Sequence, residues 1–487
     1  MKIIKKCFKA IVIILPFFLG SAGYLLAGEE ISQSMYNALQ LYLFEYSEVD
    51  HINIFLEISR WVAPLVSISG IFLILKTTAQ SIKDWLCSLG GKSIVVYCED
   101  RDQQFMRRNI KNCIIGKKEK VRDGMKNNII MYDNDLDNLN FYYANKKQFE
   151  NSRVYMHLQQ IDSFLLKKST INFFNETELV AREYWKKFNL LKYIQNNEVN
   201  IKIAVIGFEQ LGQKILSFGL MNNIYTPNQR IEYHIWGKNA VYESMLSNMN
   251  LMNGDSVIFH EEDWENNYKE LENFQRIIVT KENSMELLQA LLYLSGESEI
   301  HYYNKGEVKL EELFGGEKLC SFGATHKILT KRNIMSEELY RLGMELNLSY
   351  QHDYAENYEE IKHNEKEMRA LWEELDGFTK GSNIAAADYH EIRLLTYQYL
   401  GKGEADLVKE KEWLSEAEHI RWSRYHFLNH WQYAELEGGK NKDAKKRLHK
   451  DLIPYNQLSK EEQSKDWDTI QRLIKLKGLD ETNLINK

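Results

Sequence analysis

The densest run of side chains able to bind a ligand lies in the last 75 residues, in WLSEAEHIRWSRYHFLNHWQYAE (413–435) and HKDLIPYNQLSKEEQSKDWDTI (449–470). Residues 413–428 read as one helix, on which Glu418, Arg421 and Trp422 fall within a single turn and can face one groove. His419 sits beside them, and Trp431 and Tyr433 follow. Lys440, Lys442, Lys445, Lys446 and Arg447 then form a basic stretch ahead of His449, Pro454 and Tyr455. Indole rings beside guanidinium and ammonium groups can stack a base and hold its phosphates. Taken singly, the same residues fit core tryptophans and an ordinary helix ion pair.

A second set of residues has phosphate chemistry in view. IKIAVIGFEQLGQKIL (201–216) gives a strand, Gly207, then a helix opening around Gly212, which is the layout of a dinucleotide-binding turn. Gly207 suits the tight turn and Gly212 the close packing of helix on strand. Glu209 stands where backbone should come nearest the phosphates, and the next strand ends in Gly237-Lys238-Asn239 without an acid to hold a ribose. Lys238 can favour a phosphate-bearing ligand or can simply be solvated.

Catalytic signatures are sparse. The sequence has no HExxH, GxSxG, EF-hand or P-loop string, and its five cysteines show no CxxC spacing, so neither a zinc site nor a disulfide framework is indicated. His234, His260, Glu261, Glu262 and His301 share no spacing suited to a metal or to acid–base work. A formal net charge of -7 argues against a general nucleic-acid binder. The expectation is a body that binds and signals, with no catalytic residues, no metal and no identified cofactor.

The elements that position these residues begin at the membrane. Residues 10–27 (AIVIILPFFLGSAGYLLA) are uncharged and follow Lys2, Lys5, Lys6 and Lys9; residues 61–75 (WVAPLVSISGIFLIL) are a second apolar run, followed by Lys76, Lys83 and Lys92. The connector (28–59) carries Glu29, Glu30, Glu45, Glu48, Asp50 and Glu57 and, like the runs it joins, contains no lysine or arginine. Basic outer flanks and an acidic connector predict two spans of an inner membrane with both termini cytoplasmic. The alternative for the first run is a cleaved signal peptide. Met35, Tyr36, Leu39, Tyr42, Leu43 and Tyr46 recur at helical spacing in the connector, which predicts an amphipathic helix on the outer surface or, less simply, a pore helix. A helix over 77–89 links the second span to the body.

Beyond Gly90-Gly91, strands are predicted at 93–98, 113–116, 128–132, 153–158 and 170–174, then at 201–206, 231–236, 256–259, 276–279, 299–303 and 319–322. Alternation with helices implies mostly parallel sheets covered on both faces. The first turn, CEDRDQQF, lacks phosphate-binding glycines. From Met335 onward the pattern is helical, with main candidates at 337–347, 354–376 and 385–400.

These units resemble a known arrangement. The two Rossmann-like halves are similar to TrkA-N (RCK-type) domains that regulate potassium transport. Residues 34–75 resemble the membrane region of bacterial proteins that join that domain to a C-terminal RyR domain, the repeat described in ryanodine receptors. ALWEELDGFTKGSNIAAAD (370–388) matches the segment preceding RyR repeats through Trp372, Leu375, Ser382, Asn383 and Asp388. The RyR resemblance itself rests on Glu418, His419, Arg421, Trp422, Trp431, Tyr433, His449, Leu452, Pro454, Tyr455, Leu458, Glu462, Lys465 and Asp466.

The expected fold class is therefore α/β: a two-helix transmembrane hairpin with linker helix (1–89), two tandem Rossmann-like parallel-sheet domains (90–195 and 196–333), a helical linker region (334–410) and an α-helical RyR-type domain (411–487). The resemblance implies a membrane-anchored sensor and effector that binds a nucleotide-derived signal and alters ion permeability, in an antiphage setting. The alternatives are a regulatory subunit of an ion transporter and an NAD-dependent enzyme. Two spans cannot enclose a water path alone, so a homo-oligomer is expected.

Overall fold

Runs rich in isoleucine, valine and aromatic residues pair into two wholly parallel sheets, as strands buried on both faces tend to do. The computed structural model describes residues 2–89, 93–118, 121–122, 124–162, 165, 170–195, 200–247, 249–282, 284–314, 318–335, 340–354 and 364–477. Side chains are not described at 2–12, 73, 74, 76, 77, 80, 81, 83, 88, 89, 195, 353, 354 and 404. The flanking lysines Lys2, Lys5, Lys6, Lys9, Lys76, Lys83 and Lys92 therefore lie outside the described side chains. Two compact units result, Met1–Lys92 and Ser93–Lys487.

In the first unit, α1 (Lys2–Leu26) and α3 (Ile54–Leu89) pack antiparallel, with α2 (Ile31–Gln40) between them in sequence. Small residues set the spacing. A Cβ on Gly23 would come within 2.7 Å of the Leu56 backbone nitrogen. Ser59 Oγ donates to the Pro16 carbonyl at 2.5 Å, and Asn53 Nδ2 to the Gly23 carbonyl at 2.6 Å. Such bonds satisfy polar groups at the contact between the helices.

Two expectations for this unit need correcting. The second apolar run and the predicted linker helix are one uninterrupted 36-residue helix, because nothing between Leu75 and Thr78 breaks it. The connector helix is turned the other way from a helix whose polar side meets water. Ser34, Asn37 and Ala38 are buried, while Ile31, Met35, Tyr36 and Leu39 are exposed. Of the described helices, Ile54–Phe72 is long and apolar enough to cross a membrane; Ile13–Leu26 is apolar but shorter. The expected first span is described at side-chain level only from Ile13.

In the second unit, all eleven predicted strands form within one residue of their expected bounds. Strands β1 (Ile94–Cys98), β2 (Cys113–Ile115), β3 (Asn127–Met131), β4 (Arg153–His157) and β5 (Ile171–Phe174) make a sheet of order β2-β1-β3-β4-β5. Strands β6 (Asn200–Ile206), β7 (Arg230–Trp236), β8 (Ser256–His260), β9 (Arg276–Val279), β10 (Glu299–Tyr303) and β11 (Leu319–Phe322) make a sheet of order β11-β10-β9-β6-β7-β8. Counted from its own first strand, that second order is 3-2-1-4-5-6, the order of doubly wound dinucleotide-binding folds. Each order reverses at one point, and ligands of open α/β sheets gather outside the strand carboxyl ends.

Around these sheets lie α4 (Glu176–Lys187) after β5, α5 (Gln210–Asn222) after β6, α6 (Ala240–Ser247) after β7 and α7 (Arg341–Tyr354) after both sheets. Beyond them come α8 (Glu365–Glu374), α9 (Gly377–Tyr399), α10 (Lys411–Leu428) and α11 (Lys460–Leu476). Helix α9 begins eight residues ahead of its expected start, with Asp376 Oδ1 capping it through the Thr379 N–H at 2.8 Å. Residues 355–363 of the predicted 354–376 helix lie outside the described residues. The C-terminal region is not purely helical: Gln432–Tyr433, Lys442–Asp443 and Leu448–His449 form a small three-stranded sheet.

One apolar cluster runs from Ile94 and Val96 of the first sheet through Ile203 and Ile235 of the second to Ile392 and Tyr425 of the C-terminal helices. Helix α4 ties these parts together. Trp185 Nε1 donates to the Ile215 carbonyl at 2.8 Å, and Arg182 grips Asp388 of α9 through two bonds of 2.7 and 2.9 Å.

Candidate functional site

The carboxyl ends of β4 and β5 open toward those of β6 and β7, and between them lies a cavity of about 420 Å³. Its walls are shaped by caps. Asp135 accepts the backbone N–H groups of Gln159, Gln160 and Ile161 at 2.7–2.8 Å, fixing the loop after β4. Asn175 caps α4 by accepting the Glu178 N–H at 3.0 Å while donating to the Leu158 carbonyl at 2.7 Å. Asn239 accepts the Tyr242 N–H at the start of α6, at 3.0 Å. Gln159 Nε2 bonds Gln210 Oε1 at 2.8 Å, joining the two sheet domains across the mouth.

The roof comes from the C-terminal region: Tyr425 and Leu428 of α10, then Asn429 and His430. The lining mixes amides and hydroxyls, including Gln213, Ser217 and Tyr242, with apolar side chains such as Phe218, Met221 and Met245 and the carboxylates of Asp162 and Glu178, and Lys214 stands 3.8 Å from Glu178. Burial pushes the Tyr242 phenol up, so it stays a neutral hydrogen-bonding group. A cavity of this kind reads donor and acceptor patterns better than it neutralises several phosphates.

The glycine turn lies at its edge. Gly207 has φ +97, and an added Cβ would meet Thr280 Oγ1 at 2.8 Å; a Cβ on Gly212 would fall on the Gly207 carbonyl oxygen. Both glycines thus do what their spacing implies for strand–helix packing. The space beside them is filled, however, by Phe208, whose ring meets Tyr242 and Phe259 edge-on at 5.1 and 5.3 Å. Glu209 is the N-cap residue of α5, which sets a carboxylate where the helix N-terminus would draw an anion. Lys238 is exposed beside the cavity's Asn239. The turn is built for packing more than for a pyrophosphate.

The predicted C-terminal cluster divides in two, which corrects the expectation of one groove. Glu418 and Arg421 are buried. Glu418 Oε1 accepts Arg421 Nε and Nη2 at 3.0 and 2.7 Å, and its Oε2 accepts Arg393 Nη2 from α9 at 3.2 Å. Trp422 instead packs among imidazoles, 4.0 Å from His426, 4.9 Å from His449 and 5.6 Å from His419 between ring centres. Trp431 joins this group at 5.3 Å from His426. Tyr455 lies 6.0 Å from His419, whose Nε2 is 2.8 Å from the Ile453 carbonyl, just ahead of Pro454. Burial holds His426 down to about 3 and His449 to about 4, so both rings are neutral at physiological pH. Tyr433 is exposed and lines a separate open cleft with Trp431 and α6.

Three residues that sequence reasoning did not single out hold the site together. Arg424, fully buried, donates to the Leu220 and Leu251 carbonyls at 2.7 and 2.8 Å, to Asn253 Oδ1 at 2.5 Å and to Asp255 Oδ2 at 2.9 Å. It is the pin that seats α10 on the second sheet domain. Its partner Asp255 also accepts the Ile231 N–H at 2.8 Å. His426 completes the ring cluster. The triplet spacing of Arg421 and Arg424 on one helix was the available signal; their partners were not visible from it.

His234 and His260 meet, Nδ1 to Nε2 at 2.9 Å, but His301 lies elsewhere, against Tyr184. Among the described residues no group of His, Cys, Asp and Glu is placed to hold a metal. The fold thus defines an α/β protein with two parallel-sheet domains roofed by a largely helical C-terminal region, joined to an N-terminal unit with one helix able to cross a membrane. No family model matches the chain, and the curated proteins give no match.

Proposed function

We propose that the protein is a membrane-anchored sensor and effector, in which a nucleotide-derived ligand enters the cavity between the two sheet domains and alters the state of a transmembrane hairpin. The observation that carries this reading is the roof: a ligand there touches both sheet domains and α10 at once. It can therefore favour one arrangement of the three over another, which is what a switch requires. The apolar side chains of the lining suit the face of a base and its amides and hydroxyls the edge and a ribose, with Lys214 the cation in the lining for a phosphate. The aromatic and imidazole group around Trp422 is the second place where a base can stack.

In this reading α1 and α3 are the two spans, both termini are cytoplasmic, and α2 turns its apolar face to lipid. The outward apolar residues of α2 support that placement, because a water-facing helix would turn Ser34 and Asn37 outward. Only four residues of sequence separate Leu89 from Ile94.

The test is dye release from vesicles and growth arrest on overexpression, comparing the full chain with one lacking residues 1–76. The full chain is expected to permeabilise and the shortened chain not to. Equal behaviour of the two removes the effector role. Small molecules that copurify with the full chain, identified by mass spectrometry, are expected to include a nucleotide derivative.

A further inference from the structure

A separate cavity of about 230 Å³ opens where α4, the end of α5, α9 and the residue after α11 meet, and it shares no lining residue with the roofed cavity. Five cations line it, Arg182 and Lys186 of α4, Arg332, Arg341 of α7 and Lys477, against the carboxylates Glu183, Asp388 and Glu391. Arg182 holds Asp388, and Arg341 pairs with Glu345 at 2.8 Å. Glu391 is shared instead: its Oε2 accepts Lys186 Nζ and its Oε1 accepts Lys477 Nζ, both at 2.6 Å. One negative charge thus serves two positive ones, and each ammonium has three N–H donors, of which Glu391 takes one. Burial pushes the Glu391 carboxyl up, but the two lysines outweigh it and bring it down to about 2. The surplus of positive charge therefore sits at Lys186 and Lys477.

An observation independent of charge marks the same place. Asn222 closes α5 in the cavity wall and is 3% exposed, and its Oδ1 has no hydrogen-bond partner among the described residues. A buried acceptor left unpaired is costly, and a donor brought by a ligand would satisfy it. We infer that this cavity binds a small phosphate ester carrying a hydroxyl, as in a sugar phosphate, with Lys186 and Lys477 on the phosphate oxygens and Asn222 Oδ1 accepting the hydroxyl. The volume falls below the roughly 300–1,000 Å³ of sites for drug-sized molecules, which favours a ligand of that size over a dinucleotide. Bound there, the ester bridges α4, which joins the two sheet domains, to Lys477 in the C-terminal region.

The test is equilibrium dialysis of the full chain in detergent against glycerol 3-phosphate, methyl phosphate, which has no alcohol group, and inorganic phosphate, all at constant ionic strength. Glycerol 3-phosphate is expected to bind once per chain and about threefold or more tighter than the other two, through the extra hydrogen bond. Asn222→Ala is expected to erase that preference. Lys477→Gln is expected to weaken all three by about tenfold, through the lost charge-assisted bond. Lys214→Gln, in the roofed cavity, is expected to change none of them. Lys186→Gln is the second lysine variant, and near-ultraviolet circular dichroism checks that each variant keeps its tertiary packing. Absence of saturable binding, equal binding by the parent chain and both lysine variants, or loss of binding in Lys214→Gln overturns the inference. Tighter binding of inorganic phosphate than of glycerol 3-phosphate overturns the assignment of an ester as the ligand.

Discussion

Removing the Arg424 guanidinium strands the Asp255 carboxylate in a dry interior and frees two carbonyls and an amide oxygen that it now satisfies. Breaking a buried ion pair from one side costs about 3–5 kcal/mol, because the partner's charge stays desolvated. Arg424→Ala is therefore expected to destabilise the protein by about that amount. Asp255→Asn should cost less, since the amide keeps one acceptor. Urea unfolding of both variants and their combination checks this: the double variant should fall well short of the sum, as residues in one network do. Strict additivity would mean that the two groups do not act together. Glu418 carries the same logic in the helical region, where it pairs with both Arg393 and Arg421.

At the scale of elements, the glycine turn and the N-terminal helices show how one pattern serves two purposes. Gly207 and Gly212 have the spacing of a phosphate-binding loop, yet Phe208 and Glu209 turn that loop into a packing device. Gly212→Val adds side-chain carbon against the Gly207 carbonyl and forces strand and helix apart. A loss of about 1–3 kcal/mol is expected, the range for overpacking in a close-packed interior, measured as a lower thermal midpoint. An unchanged midpoint would show that the strand–helix contact is slack. Helix α2 carries the opposite lesson: its hydrophobic periodicity is real, but the face it buries is the polar one.

For the whole molecule, pH is a global probe, because burial holds several imidazoles neutral inside the second unit. Burial pushes His390 and His426 down to about 3 and His449 to about 4. An unfolded histidine takes its proton near pH 6.5, so below that the unfolded chain binds protons that the folded one does not. Stability contributed by these groups is complete above 6.5 and drains as pH falls toward 4, at up to about 1.4 kcal/mol per pH unit for each. Asp466 and Asp451, whose carboxyls burial pushes up, act in the opposite sense at the low end of that window. Melting of the full chain in detergent should thus show a falling midpoint between pH 7 and 5, with a shallower fall in His449→Gln. A flat profile would mean that these rings are open to solvent.

Alternation of buried runs and helices was enough to place all eleven strands, to expect mostly parallel sheets and to locate the helical C-terminal region, because local periodicity is set by which faces must leave water. The two glycines and the apolar segments were legible for the same reason. Tertiary structure alone decided the strand orders, the cavity they create and the roof over it. The partner of Arg424 lies 169 residues away, and no local pattern encodes so distant a pairing. The turned face of α2 also required the fold: a periodic apolar stripe specifies a side of a helix, and only its neighbours determine which side is covered.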